Sequence, residues 1–242
     1  MCTIIAIAKP NSRYEFFFFA SRDRPVDAFF GNYLKFIPYN RVLGVYDKRS
    51  DGLSSGYSLK TGIYAAVANV GNYRGRKSRG SLVKKVLTRA NEITDAVLIL
   101  ERDLIQGEYS SGAYIIGKGI EKWLVENLEN SVFTERLRNT HVLTNFFTGL
   151  KGEASEDGMQ RSIFVKKNLL NLPRIDIKDV LKIAAHHSTK NGICRHGSTL
   201  ASFFVAGNVN GKSKILYHVG KTCQNLHSVL DLFPELQNSV EF

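Results

Sequence analysis

Two β-forming runs, residues 3–9 (TIIAIAK) and 14–20 (YEFFFFA), flank Pro10-Asn11-Ser12. Turn residues between two such runs read as a hairpin, and a hairpin this apolar buries the N-terminal segment, so Cys2 starts a core strand. The second strand delivers Ser21-Arg22-Asp23-Arg24 at its end, where Pro25 stops it. Charges placed at a strand end can point into a site. If aminopeptidase removes Met1, which the small side chain at position 2 permits, Cys2 carries both a thiol and a free α-amine. An α-amine titrates near about 7.7–8 and a free thiol near about 8.5, so the amine can take the thiol proton at neutral pH. The competing reading is a cysteine buried for packing alone.

Further strand signals follow at 42–47 (VLGVYD) and 63–70 (IYAAVANV), the latter closing on Asn69 before a Gly71-Asn72 turn. Residues 81–90, opened by Ser81, and 93–105 show apolar spacing near 3.6 and predict two consecutive helices. A second strand group comprises 112–117, 122–127 and 140–145, with turns at Lys118-Gly119 and Asn130-Ser131. Helical periodicity returns at 159–171 and 176–187, with Asp176 as the N-cap. Residues 199–206 and 214–219 then alternate around the turn Asn208-Val209-Asn210-Gly211. Strands, two helices, strands, two helices, strands is the pattern of two sheets packed face to face with helices outside, an α+β class.

The chain of 242 residues contains no internal repeat or linker and is expected to form a single domain over 1–242. No segment approaches the ~18 uninterrupted apolar residues of a membrane span, and the short apolar run at the N-terminus lacks a basic flank, so no membrane association is expected and the cytoplasm is the expected compartment. Cys2, Cys194 and Cys223 form neither a disulfide framework nor a metal-ligand pattern. No cofactor and no metal are expected.

The formal charge of +11, from 33 Lys and Arg against 22 Asp and Glu, leaves open a nucleic-acid partner, an anionic small substrate or a basic proteome. Its densest cluster is Arg74, Arg76, Lys77 and Arg79. A solvated loop is the preferred reading, ahead of contact with an anionic ligand, and nucleic acid comes last because no nucleic-acid-binding motif is present.

Cys2, Arg22, Asp23, Asn69, Asn145 and Arg161 are polar residues expected at strand ends or just beyond. Singly, such an Asn is most often a turn residue and such an Arg a surface charge. Their combination with the local words MCT at the start, ASRD at 20–23, AVANVGN at 66–72, HVLTNFF at 141–147, MQRSIFVKK at 159–167 and ICRHGSTLASFFV at 193–205 resembles the N-terminal-nucleophile hydrolases. LTN and the Arg-containing helix after it look like choloylglycine hydrolase and penicillin V acylase. ICRH and TLAS, with an earlier His-His, look like acyl-coenzyme A:isopenicillin N acyltransferase. Ser-Arg-Asp-Arg and RGRKSRGSLV (74–83) resemble the NRDE, or transport-and-Golgi-organisation, group.

The resemblance implies a four-layer αββα sandwich and an amidase or acyl-transfer reaction through a thioester on Cys2. It implies Arg22 beside the nucleophile, Asn69 as side-chain donor of an oxyanion hole, Asn145 orienting the amine, and Arg161 as a second arginine near the thiol. The related enzymes hold the amine with an aspartate three residues past the arginine; that place is Pro25 here. Asp23 is preferred over Asp27, following the NRDE word, in which Ser21 and Arg24 replace Asn and Glu. One preorganised amide donor to an oxyanion is worth about 3–4 kcal/mol, and guanidinium groups beside a sulfur favour the thiolate.

The implied partner is a small amide or acyl substrate, with acyl-coenzyme A among the candidates; a homo-oligomer is left open. His186, His187 and His196 offer a Cys194–His alternative. A Cys two residues before a His on one strand shares its face but lies too far along it for a direct bond, so structural histidines are preferred. Two rival functions remain: an inactive protein of this fold that binds an acyl or hydrophobic ligand, and a basic nucleic-acid-binding protein.

Overall fold

The computed structural model describes residues 2–23, 32–150, 155–188, 192–194, 199–219, 226–238 and 240–241. The first strand, β1 (Cys2–Ala8), pairs antiparallel with β2 (Tyr14–Asp23), and Asn11 sets their turn by accepting from the backbone N–H groups of Arg13 and Tyr14. β3 (Asn32–Ile37), β4 (Val42–Asp47), β5 (Gly52–Ser58) and β6 (Ile63–Asn69) follow as an antiparallel meander. After α1 (Arg79–Arg89) and α2 (Ile93–Leu104), β7 (Gly112–Lys118), β8 (Glu121–Leu128) and β9 (Ser131–Leu137) extend that meander. β10 (Thr140–Leu143) returns to β1. Then come α3 (Glu156–Leu170), α4 (Ile177–Ala184), β11 (Thr199–Asn208), β12 (Ser213–Val219), β13 (His227–Ser228), two 3-10 turns and β14 (Val240–Glu241).

Among the described residues the strands form two seven-stranded sheets, one in the order β3 to β9 and one in the order β10-β1-β2-β11-β12-β13 with β14 added beside β12. Phe16 to Phe19 show why the sheets stack as they do. Successive strand side chains point to opposite faces, and a run of four phenylalanines therefore demands apolar cover on both. Phe16 and Phe18 stack on Tyr64 of the other sheet, with ring centroids 5.0 and 4.8 Å apart. Phe17 and Phe19 face outward, into a cluster with Val165 and Leu169 of α3 and Val180 and Ile183 of α4. On the far side of the second sheet, Leu82, Val83 and Val86 of α1 and Ala96, Val97 and Leu100 of α2 cover Val42, Leu53, Ile63 and Tyr114. The molecule is an αββα sandwich of two antiparallel sheets.

All four expected helices are present, with shifted ends: α3 starts at Glu156, ahead of the expected 159, α4 ends at Ala184, short of the expected 187, and α1 begins at Arg79, capped by Ser78, whose hydroxyl accepts from Gly80 N–H. Ser81, the expected opener, lies inside and donates its hydroxyl to the Ser78 carbonyl at 2.6 Å. Five strands among the described residues are additions to the sequence reading: β3, β5, β9, β13 and β14. Asn130-Ser131, expected as a turn between separate elements, connects β8 tightly to β9.

Candidate active site

Cys2 stands directly opposite Arg22 in the β1–β2 register, so both side chains lie on the face turned toward the other sheet. Thr3 and Ser21, the next pair, face the other way, toward α3. Opposite Arg22 and Asp23, β11 carries a bulge between Thr199 and Ala201, which locally re-aims the strand end. Cys2 is buried, yet it lines a cleft of about 300 Å³ together with Arg22, Asp23, Asn69 and the segment 75–80.

Asn145, just past the end of β10, holds the site together. Its Oδ1 accepts from Cys2 N at 2.9 Å and from Arg161 Nη2 at 2.9 Å. Its Nδ2 donates to the main-chain carbonyl of Asn69 at 2.7 Å. One side chain thus fixes the start of β1 in the first sheet against the end of β6 in the second. The carbonyl of Asn69 being occupied, its side-chain amide extends to the cleft and makes no hydrogen bond among the described residues.

Arg161 comes from α3 rather than from a strand end and lies behind the cleft, fully buried. It donates to Thr3 Oγ1 at 2.9 Å and pairs with Asp23 at 3.6 Å and, one helical turn back, with Asp157 at 3.1 Å. Burial pushes the Arg161 guanidinium below its ordinary value, against the opposing pull of Asp23 and Cys2. Asp23 is therefore engaged by this guanidinium; Asp27, the other carboxylate considered for the amine, lies outside the described residues. Arg22 crosses between the sheets to Asp47 at the end of β4, 2.5 Å away.

All six candidate residues are brought to one end of the sandwich. Cys2, Arg22, Asp23 and Asn69 line the cleft, and Asn145 and Arg161 stand directly behind it. Thr3, Asp47 and Asp157 were not among the sequence candidates. Asp157 carried a readable signal, four residues before Arg161 on one helix; Asp47, ending a strand, carried a weaker one. Cys194 lies elsewhere and is buried, its N–H donating to the carbonyl of His186 just past α4; the His186 ring stacks on Phe164 at 4.1 Å. His196 and Cys223 lie outside the described residues. Of the basic cluster, Arg76, Lys77 and Arg79 line the cleft, whereas Arg74 is exposed outside it.

The structure of penicillin V acylase from Agrobacterium tumefaciens is similar to this chain, with a TM-score of 0.56 over 90% of this chain and 83% of the acylase at 14% identity. The two chains share the αββα fold. At this identity the likeness extends to the fold alone. No protein-family model matches the chain, and no curated protein matches it in sequence. No helix among the described residues is long and apolar enough to cross a membrane.

Proposed function

We propose that this protein is an N-terminal cysteine amidohydrolase or acyltransferase, active once Met1 is removed, with residues 1–242 acting as a single domain. The observation that carries this reading is the hydrogen bond from Cys2 N to Asn145 Oδ1 at the edge of a cleft that Cys2 itself lines. A nitrogen held by a side-chain acceptor, beside its own thiol, is what an internal base requires. In the peptide-bound state this nitrogen only donates; freed, it has a lone pair to take the thiol proton.

The Cys2 thiolate then attacks the carbonyl carbon of the bound amide. The Asn69 amide donates to the oxyanion, and Arg22 adds positive charge on the same face. As the tetrahedral intermediate collapses, the carbon–nitrogen bond breaks, the α-ammonium gives its proton to the departing amine, and an acyl thioester remains on Cys2. Water, or a second amine, attacks the thioester with the α-amine as base again, releasing a carboxylic acid or a new amide. A thioester donor such as an acyl-coenzyme A enters the same chemistry, with a thiol leaving in place of the amine. Asn145 and Arg161 keep Cys2 N in register. Cys2 is buried and makes no disulfide among the described residues, which accords with a reducing cytoplasm.

The test is incubation of the Cys2-initiated protein with a panel of chromogenic amides of differing acyl groups, read by amine release and by peptide mass. Acyl addition on the Cys2 peptide, lost in Cys2→Ala, is the expected result. Turnover that persists in Cys2→Ala contradicts the reading.

A further inference from the structure

We propose that the substrate carries an anionic group, a carboxylate or a phosphate, that binds the cationic wall formed by segment 75–80 while its reacting carbonyl faces Cys2. This rests on the reading of Cys2 as nucleophile and adds to it the chemical class of the substrate.

The wall is built before any ligand arrives. Lys77 N–H donates to the carbonyl of Glu108 at 2.8 Å, and Ser110 N–H donates back to the carbonyl of Lys77 at 3.3 Å, so the segment runs as a short parallel partner of Tyr109. A Cβ at residue 75 would meet the Glu108 carbonyl oxygen at 2.3 Å, so only glycine permits this approach. The chain then turns into α1, whose first turn contains no acidic residue to offset its positive end.

Four basic side chains line the cleft: Arg22, Arg76, Lys77 and Arg79. Their local partners account for part of this charge. Arg22 is matched by Asp47, Lys77 by Glu108, and Asp23, the one carboxylate among the described lining residues, by Arg161. Arg79 is anchored by donating to the neutral carbonyl of Ser111 at 2.5 Å. Arg76 is exposed and makes no ion pair among the described residues, so its charge is available at the mouth. A cleft whose lining is predominantly cationic, between low-dielectric walls, focuses its field on what enters. A neutral substrate would gain nothing from this wall, whereas an anion exchanges water for fixed donors.

The wall is tested with two alkylating reagents of nearly equal size, anionic iodoacetate and neutral iodoacetamide, mapped to the Cys2 peptide by mass. The expected iodoacetate-to-iodoacetamide rate ratio exceeds that of a free cysteine peptide by about tenfold, falls with added salt, and is lost in Arg76→Glu. Lys178→Glu, the same charge change on α4 outside the other sheet, keeps the wild-type ratio. Calorimetric titration with inorganic phosphate and with acetate runs alongside; the tighter ligand identifies the preferred anion. Equal ratios for protein and free peptide, unmoved by Arg76→Glu, overturn the anionic subsite and leave the Cys2 nucleophile standing. If neither reagent modifies Cys2, the nucleophile reading fails instead. Calorimetry then decides the wall alone: anion binding weakened by Arg76→Glu upholds it, and no binding overturns it.

Discussion

Arg22 of β2 and Asp47 of β4 meet at 2.5 Å across the gap between the two sheets, with side chains only 12% and 2% exposed. Asp47 also accepts from Arg49 N–H at 3.0 Å, which fixes the carboxylate against the chain that follows β4. The pair ties the sheets at the cleft while holding one guanidinium on the face that carries Cys2. Removing one partner of such a pair strands a buried charge, so Asp47→Ala is expected to cost about 3–5 kcal/mol by urea unfolding. The double variant Arg22→Leu with Asp47→Leu is expected to recover most of that stability without recovering activity. A double variant no more stable than Asp47→Ala contradicts the pairing.

The first sheet was legible where local pattern and final environment agree. β1 is apolar from Ile4 to Ala8 and β2 from Phe16 to Ala20, and these runs pack into the core as read. β5 escaped notice because its residues, GLSSGYS, look like loop, yet each is buried. Its small side chains are what the packing selects: a Cβ on Gly56 would meet the Leu43 carbonyl oxygen at 2.7 Å and Leu87 of α1 at 2.8 Å. β9 escaped because an outer strand keeps its polar residues wet and reads as surface. The same division holds in the site. Cys2, Arg22 and Asn69 could be placed by their position at strand ends. Asp47 and Thr3 act across a sheet gap or a sheet–helix boundary, which no local spacing encodes.

Asn69 separates chemistry from architecture. Its side-chain amide is exposed and makes no hydrogen bond among the described residues, so Asn69→Ala is expected to change stability by less than about 0.5 kcal/mol. As the oxyanion donor, it is expected to lower kcat by about 10²–10³-fold. Steady-state kinetics with any amide turned over by the wild type, together with urea unfolding, check both expectations.

Lys122 gives stability an unusual alkaline dependence. Its side chain faces the core between the sheets, 1% exposed, and its Nζ has no hydrogen-bond partner among the described residues. Burial pushes this ammonium down to about 8. A base with a lowered folded value penalises folding in full below pH 8, and the penalty fades as pH rises toward the unfolded value of 10.5. Lys122→Met is therefore expected to be more stable than wild type by about 2–3 kcal/mol at pH 7, with the difference shrinking between pH 8 and 10. A gain that is constant with pH contradicts this origin.

His141 on β10 gives the acidic counterpart. Burial, aided by Lys166 and Lys122, lowers it to about 4 from 6.5. Its neutral ring supports folding above pH 6.5, and that contribution is lost as pH falls toward 4. Proton titration by NMR is expected to find His141 near 4 in the wild type and higher in Lys122→Met, where one of the repelling charges is gone.

Glu126 of β8 is fully buried and accepts from Thr148 N–H and Oγ1 and from Gly149 and Leu150 N–H, at 2.7 to 3.0 Å. It clamps the loop that follows Asn145. Glu126→Gln replaces a charged acceptor with a neutral one and is expected to cost about 2–3 kcal/mol, with amide protection lost first at 148–150. Hydrogen exchange at those amides checks this; unchanged protection contradicts the clamp.

The central claim is that Cys2 acts through its own α-amine, held by Asn145, and the intact mass of the protein purified from its native source tests it most directly. The account predicts a mass lower than that of the full chain by one methionine residue, with Cys2 at the N-terminus. A native protein that retains Met1 leaves Cys2 N as a peptide amide, without the basicity the mechanism needs, and contradicts the claim.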